Sequence, residues 1–421
     1  AAAGIETSSI ESAAAEVGAP AAIETAYAAP VETATATARF ADGRLDLWIA
    51  SQAPEQARVA AARAIGISPE DVALYPMPAG GSFDARLEHD HAIEIALIAR
   101  ELGRPVQLVW PRRDELIRAR PRAPYWMLLG AQLAKNGPGN PGGAIEAMRV
   151  RIATPPSALE FGQRLFGNRT SMAAMRDTAG RADPLAVAGA VPPYTVPAVM
   201  VEHVPADIGL PVGRVRGNAW GPTIFAVESF IDEIAAKSKR EPLSFRMSML
   251  GGDVRLAACL QRAAQLAEWD GGVDQSGQGL AIARLGDGAD APRIACVATA
   301  RHGEGGVRVV RLSAAVDIGR IVNHDIARQQ IEGGLVFGIG IALGNAVALR
   351  GGLPEGGGDA PLGLPGLADC PEMRVVFIAS DAPPADPGEL GAVVVPPAIA
   401  NALYSATGLR LRRLPLLSDG I

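Results

Sequence analysis

Three short glycine-rich segments hold residues able to do chemistry. In Pro387-Gly388-Glu389-Leu390-Gly391 a lone carboxylate stands between glycines, just ahead of the apolar run Val393-Val394-Val395-Pro396. Apolar surroundings disfavour the charged form of a carboxylic acid, so Glu389 reads as a general base poised near neutral pH; the plainer alternative is an exposed loop glutamate. In Val215-Arg216-Gly217-Asn218-Ala219-Trp220-Gly221-Pro222, Arg216 can bring its planar, donor-rich head close to a ligand across Gly217, or serve only in a surface ion pair. Gly80-Gly81-Ser82-Phe83 precedes a helix predicted to begin near Arg86. Small residues there expose N–H groups suited to an oxygen-rich anion, and equally suit a tight strand-to-helix turn.

Other chemistries find less support. His89-Asp90-His91 is the one suggestive metal pair, but positions i and i+2 of a helix face different directions, so a structural or solvated role is expected. The remaining histidines, His203, His302 and His324, show no ligand spacing, and no G-x-S-x-G elbow is present. Cys259, Cys296 and Cys370 are too far apart to form a cluster motif, so any iron–sulfur centre must sit on another chain. With 5% aromatic residues and a formal charge of −6, nucleic acid is not an expected partner.

The 421 residues leave room for two to four domains, and 48% hydrophobic against 20% charged is a globular balance. The 48 glycines and 33 prolines predict many turns and close main-chain approaches. Up to about Ala38 the chain lacks a clear period and reads as a linker or partial domain. A hairpin is predicted across Asp42-Gly43, then a helix from Ser51 and Pro54 to Gly66, a strand at Val72–Tyr75, a helix at Leu87–Leu102 and a strand at Gln107–Trp110. Strands near Trp126–Leu133 and Ala147–Ile152 flank a turn at Asn136–Gly143, and residues 155–193 read as irregular. Further elements are expected at Ala198–Val204, Phe225–Lys237, Leu256–Trp269, Ile294–Ala300, Val307–Ala314, Asp325–Phe337, Met373–Ile378 and Pro397–Thr407. The apolar stretch Gly333–Leu349 is short and glycine-rich, which favours a buried helix over a membrane span and hence a soluble protein. Strands and helices mix without strict alternation, which predicts an α+β fold. No secretory signal is seen at Ala1, consistent with a processed or truncated start.

The order of several longer strings carries a resemblance. Ala315-Val316-Asp317-Ile318-Gly319-Arg320-Ile321-Val322-Asn323 and Gln330-Ile331-Glu332-Gly333-Gly334-Leu335-Val336-Phe337-Gly338 are followed by Pro396-Pro397-Ala398-Ile399-Ala400-Asn401-Ala402-Leu403. With Phe225-Ala226-Val227-Glu228-Ser229-Phe230-Ile231-Asp232-Glu233, these resemble the molybdopterin-binding large subunit of the xanthine oxidase family. The branch is that of isoquinoline 1-oxidoreductase beta subunits and membrane-linked aldehyde dehydrogenases. The resemblance runs from about Tyr27 to Pro415 and is weakest between Pro155 and Pro193.

It implies elongated mixed α/β molybdopterin-binding domains without the N-terminal small domain: residues 1–38 as linker or partial domain, 39–215 as a first subdomain and 216–421 as a second carrying the glutamate loop. The implied activity is that of a molybdenum hydroxylase in a multi-chain complex, oxidising an aldehyde or a nitrogen-adjacent ring carbon with oxygen from water. Glu389 falls on the family's catalytic base, and Gly80, Gly81, Ser82, Phe83, Arg216, Gly217, Gln330 and Gly388 fall on cofactor-binding positions. The implied cofactor is molybdopterin cytosine dinucleotide with molybdenum. The implied partners are a subunit bearing [2Fe-2S] clusters, a chain supplying the rest of the large subunit, and a small-molecule substrate. Periplasm or cytoplasm fits, the resemblance leaning to the periplasm. Against the family pattern, Ser82 and Asp84 add side chains to a loop usually richer in glycine, and Leu390 replaces a common proline. A scaffold that keeps the fold without the cofactor is the alternative.

Overall fold

The structure, a computed structural model, describes residues 16–135, 143–272, 275–303, 306–344, 346, 349–351, 353–354 and 363–416. The first elements are β1 (Glu16–Ile23), β2 (Thr35–Ala41), β3 (Arg44–Ile49), α1 (Pro54–Ile65), β4 (Val72–Pro76), α2 (Asp90–Leu102) and β5 (Val106–Val109). Strands β2 to β5 form a sheet in the order β4-β3-β2-β5. Leu45, Leu47 and Ile49 on one face of β3 meet Ala57, Ala61 and Ile65 of α1 and Ala92, Ile95 and Ala99 of α2, giving this region a core of its own. The Asp42-Gly43 hairpin is present, both residues taking the positive φ that a two-residue turn requires. Gly66 and Gly103 end α1 and α2 in the left-handed region.

Next come α3 (Arg112–Arg118), β6 (Tyr125–Leu133), β7 (Ile145–Thr154), α4 (Ser157–Leu165), α5 (Ser171–Thr178), β8 (Ala198–Pro205) and α6 (Trp220–Lys237). The stretch read as irregular therefore carries two short helices, of nine and eight residues. The turn predicted at Asn136–Gly143 lies mostly outside the described residues, as do residues 1–15 and Gly305.

The remainder comprises α7 (Pro242–Met247), α8 (Val254–Ala267), β9 (Gln278–Arg284), β10 (Arg293–Gly303), β11 (Gly306–Asp317), α9 (His324–Leu343), β12 (Leu349–Arg350), β13 (Leu353–Pro354), β14 (Glu372–Phe377), α10 (Leu390–Thr407) and β15 (Arg413–Leu414). Two larger sheets have the orders β15-β1-β6-β7-β8 and β14-β11-β10-β9, and β12 pairs with β13. Glu16–Ile23 is thus not a linker: it is an inner strand between β15 and β6. Two of its four buried positions are alanines and it contains Pro20, so its alternation was faint in sequence.

One continuous core runs from Val17 to Leu416 and joins residues on both sides of position 215, so packing does not divide there. At its centre α10 packs on β9, β10, α6 and α9. This helix begins at Leu390 rather than Pro397 and accommodates Pro396 and Pro397 internally. Proline lacks the N–H for an i to i−4 bond and normally disfavours a helix interior; here the helix is buried over almost its whole length, and that packing holds it. By length and composition α10 is apolar enough to cross a membrane, but it lies inside the protein core.

Candidate active site

Helices α9 and α10 touch main chain to main chain. A Cβ placed on Gly391 would lie 2.6 Å from Leu335 N and 2.7 Å from Ile331 O, and one on Gly334 would lie 3.1 Å from Gly391 Cα. This contact sets Glu389, at the N-terminus of α10, beside Gln330 in the second turn of α9. Arg216 ties the two together. Its Nε donates to Gly388 O at 2.7 Å, and its Nη2 donates to Gln330 O at 2.9 Å and Gln330 Oε1 at 3.4 Å. The guanidinium also lies 5.9 Å from the Phe337 ring centroid. Gly217, at φ +92°, turns its N–H onto Glu389 Oε2.

Phe83 and Asp84 of the first glycine loop adopt positive φ, and the Phe83 ring packs 4.9 Å from that of Phe337. Arg216 N–H donates to Phe83 O at 3.2 Å. Asp84, whose side chain departs from the family's glycine-rich loop, fastens the loops together: it accepts from Gln52 Nε2 and Arg214 Nε, each at 3.3 Å, and from Asn218 Nδ2 at 3.1 Å. The helix expected near Arg86 begins only at Asp90, after a single 3-10 turn at Ala85–Leu87, so the loop does not cap an α-helix. Gly80 is also diverted, its N–H donating to Glu32 Oε2 at 2.6 Å. Gly81, Ser82 and Phe83 remain on the site wall.

Burial, followed by the negative charge of Asp84, pushes the Glu389 carboxyl up to about 7, although the Gly217 N–H and the cations of Arg216 and Arg214 pull the other way. Burial also lowers Arg216 from its usual range. Glu389 and Asp386 line two cavities at once. One, of about 780 Å³, runs over Gly81–Asp84, Arg216, Gln330 and the loop up to Gly388. The other, of about 520 Å³, is bounded by Arg122, Tyr125, Leu185, Trp220, Leu285 and Pro292.

The larger cleft suits a flat, polar heterocycle with an anionic tail. Ser82, Asn323, Gln329 and Gln330 offer paired donors and acceptors, Arg216 and Arg320 supply positive charge, and Gly81 and Gly388 keep the main chain accessible. The residues present therefore fit a pterin cofactor. Eight of the nine residues singled out in the sequence come together here, Gly80 being the exception. Glu32, Gln52 and Asp84 escaped notice as positioning residues because their partners are distant in the chain. Arg122 carried no local signal.

A glutamate and an arginine on glycine-rich loops, aimed at a polar cleft between crossing helices, define an α+β cofactor-binding chain. Residues 3–159 and 294–371 each match a family described as the molybdopterin cofactor-binding domain, and the chain belongs to that family. It is 28% identical over 403 residues to the isoquinoline 1-oxidoreductase subunit beta of Brevundimonas diminuta, covering 93% of this chain and 48% of that protein. It is also 28% identical to the membrane-bound aldehyde dehydrogenase of Gluconacetobacter polyoxogenes, over 92% of this chain and 51% of the relative. The chain thus spans about half the length of these two curated relatives. The fold matches quinoline 2-oxidoreductase from Pseudomonas putida 86 with a TM-score of 0.77 at 15% identity, covering 97% of this chain and 76% of that one.

Proposed function

We propose that this chain forms the molybdopterin-binding part of a molybdenum hydroxylase that oxidises an aldehyde or an N-heteroaromatic carbon with oxygen from water. The observation that carries this reading is the placement of Glu389, held by Gly217 beside Arg216 on a wall shared by two cavities. When bound, the cofactor supplies a molybdenum centre able to take up two electrons. Ser82, Phe83, Gln330, Gly388 and Arg216 would hold it in the larger cleft. In the overall oxidation, aldehyde and water give a carboxylic acid, two protons and two electrons. Glu389 takes a proton from the attacking oxygen. Its Oε2 is engaged by Gly217, which leaves Oε1 for that transfer.

The cytosine dinucleotide form of the cofactor, a [2Fe-2S] subunit as electron acceptor, a chain completing the large subunit and a periplasmic site of action belong to the same proposal. Supporting an acceptor outside this segment, its three cysteines are one short of the four thiolates that a [2Fe-2S] cluster takes.

The test is molybdenum content and turnover of the chain purified with its copurifying subunits, as wild type and as Glu389→Gln. Stoichiometric metal in both, with turnover reduced by roughly 10²–10⁴-fold in the variant, is expected. A metal-free wild type would favour the scaffold alternative, and unchanged turnover in the variant would refute the role of Glu389.

A further inference from the structure

Among the described residues Arg122 is a buried cation without an anion. It is 4% exposed, its Nε and Nη1 have no hydrogen-bond partner among those residues, and its Nη2 reaches the Glu24 carbonyl at 3.4 Å. Three other buried arginines are matched: Arg164 pairs with Glu160 and Glu88, Arg246 with Glu228 and Asp232, and Arg293 with Asp253. Arg86 and Arg216 lack an ion pair too, yet the carboxylates of Glu115 and Glu32 act on the first and those of Glu389, Asp386 and Asp84 on the second. Burial lowers the Arg122 guanidinium to about 10, which leaves it cationic at neutral pH. An uncompensated buried charge is among the costliest features a fold can keep.

Arg122 is among the residues that line the 520 Å³ cavity lined also by Glu389. A Cβ on Gly221 would lie 3.6 Å from Arg122 Nη1, so the first turn of α6, the positive end of that helix, adjoins the same spot. Tyr125, Leu185, Trp220, Leu285 and Pro292 make much of the remaining wall apolar or aromatic. Asp386 and Glu389 stand in the same cavity, and Arg214, the other cation there, is paired with Asp84. A ligand with one anionic end is therefore repelled by the carboxylates and attracted to Arg122. One unpaired guanidinium balances a monoanion, and the walls suit a flat apolar body.

We propose that Arg122 binds a carboxylate carried by the substrate, which makes the substrate an aromatic organic acid whose reacting carbon points toward Glu389. This rests on the reading of the larger cleft as the cofactor site and the smaller cavity as the substrate site.

The test is binding, not turnover. Benzoate and its uncharged isostere benzamide are titrated by calorimetry into the chain with its copurifying subunits, as wild type, Arg122→Gln and Arg122→Lys. Benzoate is expected to bind the wild type roughly ten- to a hundredfold more tightly than benzamide. Arg122→Gln should erase that preference and Arg122→Lys should keep part of it. Equal affinity of the two probes for the wild type, a preference that survives in Arg122→Gln, or inorganic phosphate competing as well as benzoate would each overturn the assignment. The wild-type comparison decides even if a variant does not fold. Because the readout needs no metal, loss of the hydroxylase reading through the Glu389→Gln experiment remains separable from loss of this one.

Discussion

The main-chain N–H of Gly217 donates to Oε2 of Glu389 across 172 residues of sequence. That bond makes one surface of two loops and fixes which carboxylate oxygen remains available. It also opposes the burial that raises the proton affinity of Glu389. The balance among one N–H, two arginines, Asp84 and an apolar surround puts the base where small changes of charge alter its protonation near neutral pH.

The first prediction concerns pH. A base must be deprotonated to act, so kcat/KM should rise with pH through about 7 and level off above it. Asp84 is the like charge that holds Glu389 up. Asp84→Asn removes that repulsion and releases Arg214, so the acid limb should move to lower pH. A pH–rate profile of both proteins checks the direction. An unmoved or upward-shifted limb would show that Asp84 does not act on the base.

The second concerns the helix crossing. The contacts that a Gly391 side chain would make are with main chain, at 2.6–2.7 Å, and main chain cannot rotate away. Gly391→Ala should force α9 and α10 apart, costing roughly 1–3 kcal/mol of stability and displacing Glu389 from Gln330. Urea unfolding should show a lower midpoint, and turnover should fall although no reacting group has changed. A variant with wild-type midpoint and turnover would mean that the two helices can separate freely.

The third concerns the core beneath the site. Arg246, wholly buried, holds Glu228 Oε2 and Asp232 Oδ1, each at 3.1 Å, while Tyr194 donates to Glu228 Oε1 at 2.7 Å. Removing the cation strands Glu228, whereas Asp232 keeps Arg410 at 2.9 Å, so Arg246→Met should cost about 3–5 kcal/mol. Adding Glu228→Gln should recover part of that loss. Denaturant titrations of the two single variants and the double variant measure both effects, and additive losses would exclude coupling between Arg246 and Glu228.

Much of the fold was legible from local signals. Asp42-Gly43 announced its hairpin, and Gly66 and Gly103 marked helix ends, because turn and cap chemistry depends on a few adjacent residues. β1 was not legible, since small alanines and Pro20 weaken its alternation, and neither was the first part of α10, since Pro396-Pro397 suggested a later start. Of the site, Glu389, Arg216, Gly217 and Gln330 could be picked out from type, spacing and resemblance. Arg122 could not, because an unpaired arginine is notable only once its surroundings are known.

The sequence by itself determined the α+β class, most of the regular elements and the family resemblance, all of which rest on patterns within some tens of residues. Only the tertiary structure decided that Gly80 turns to Glu32, that Asp84 braces loops and that Arg122 lies unpaired beside the same cavity as Glu389. Those outcomes depend on which distant groups share a small volume of low dielectric, where each charge must find a partner or bear the cost of burial.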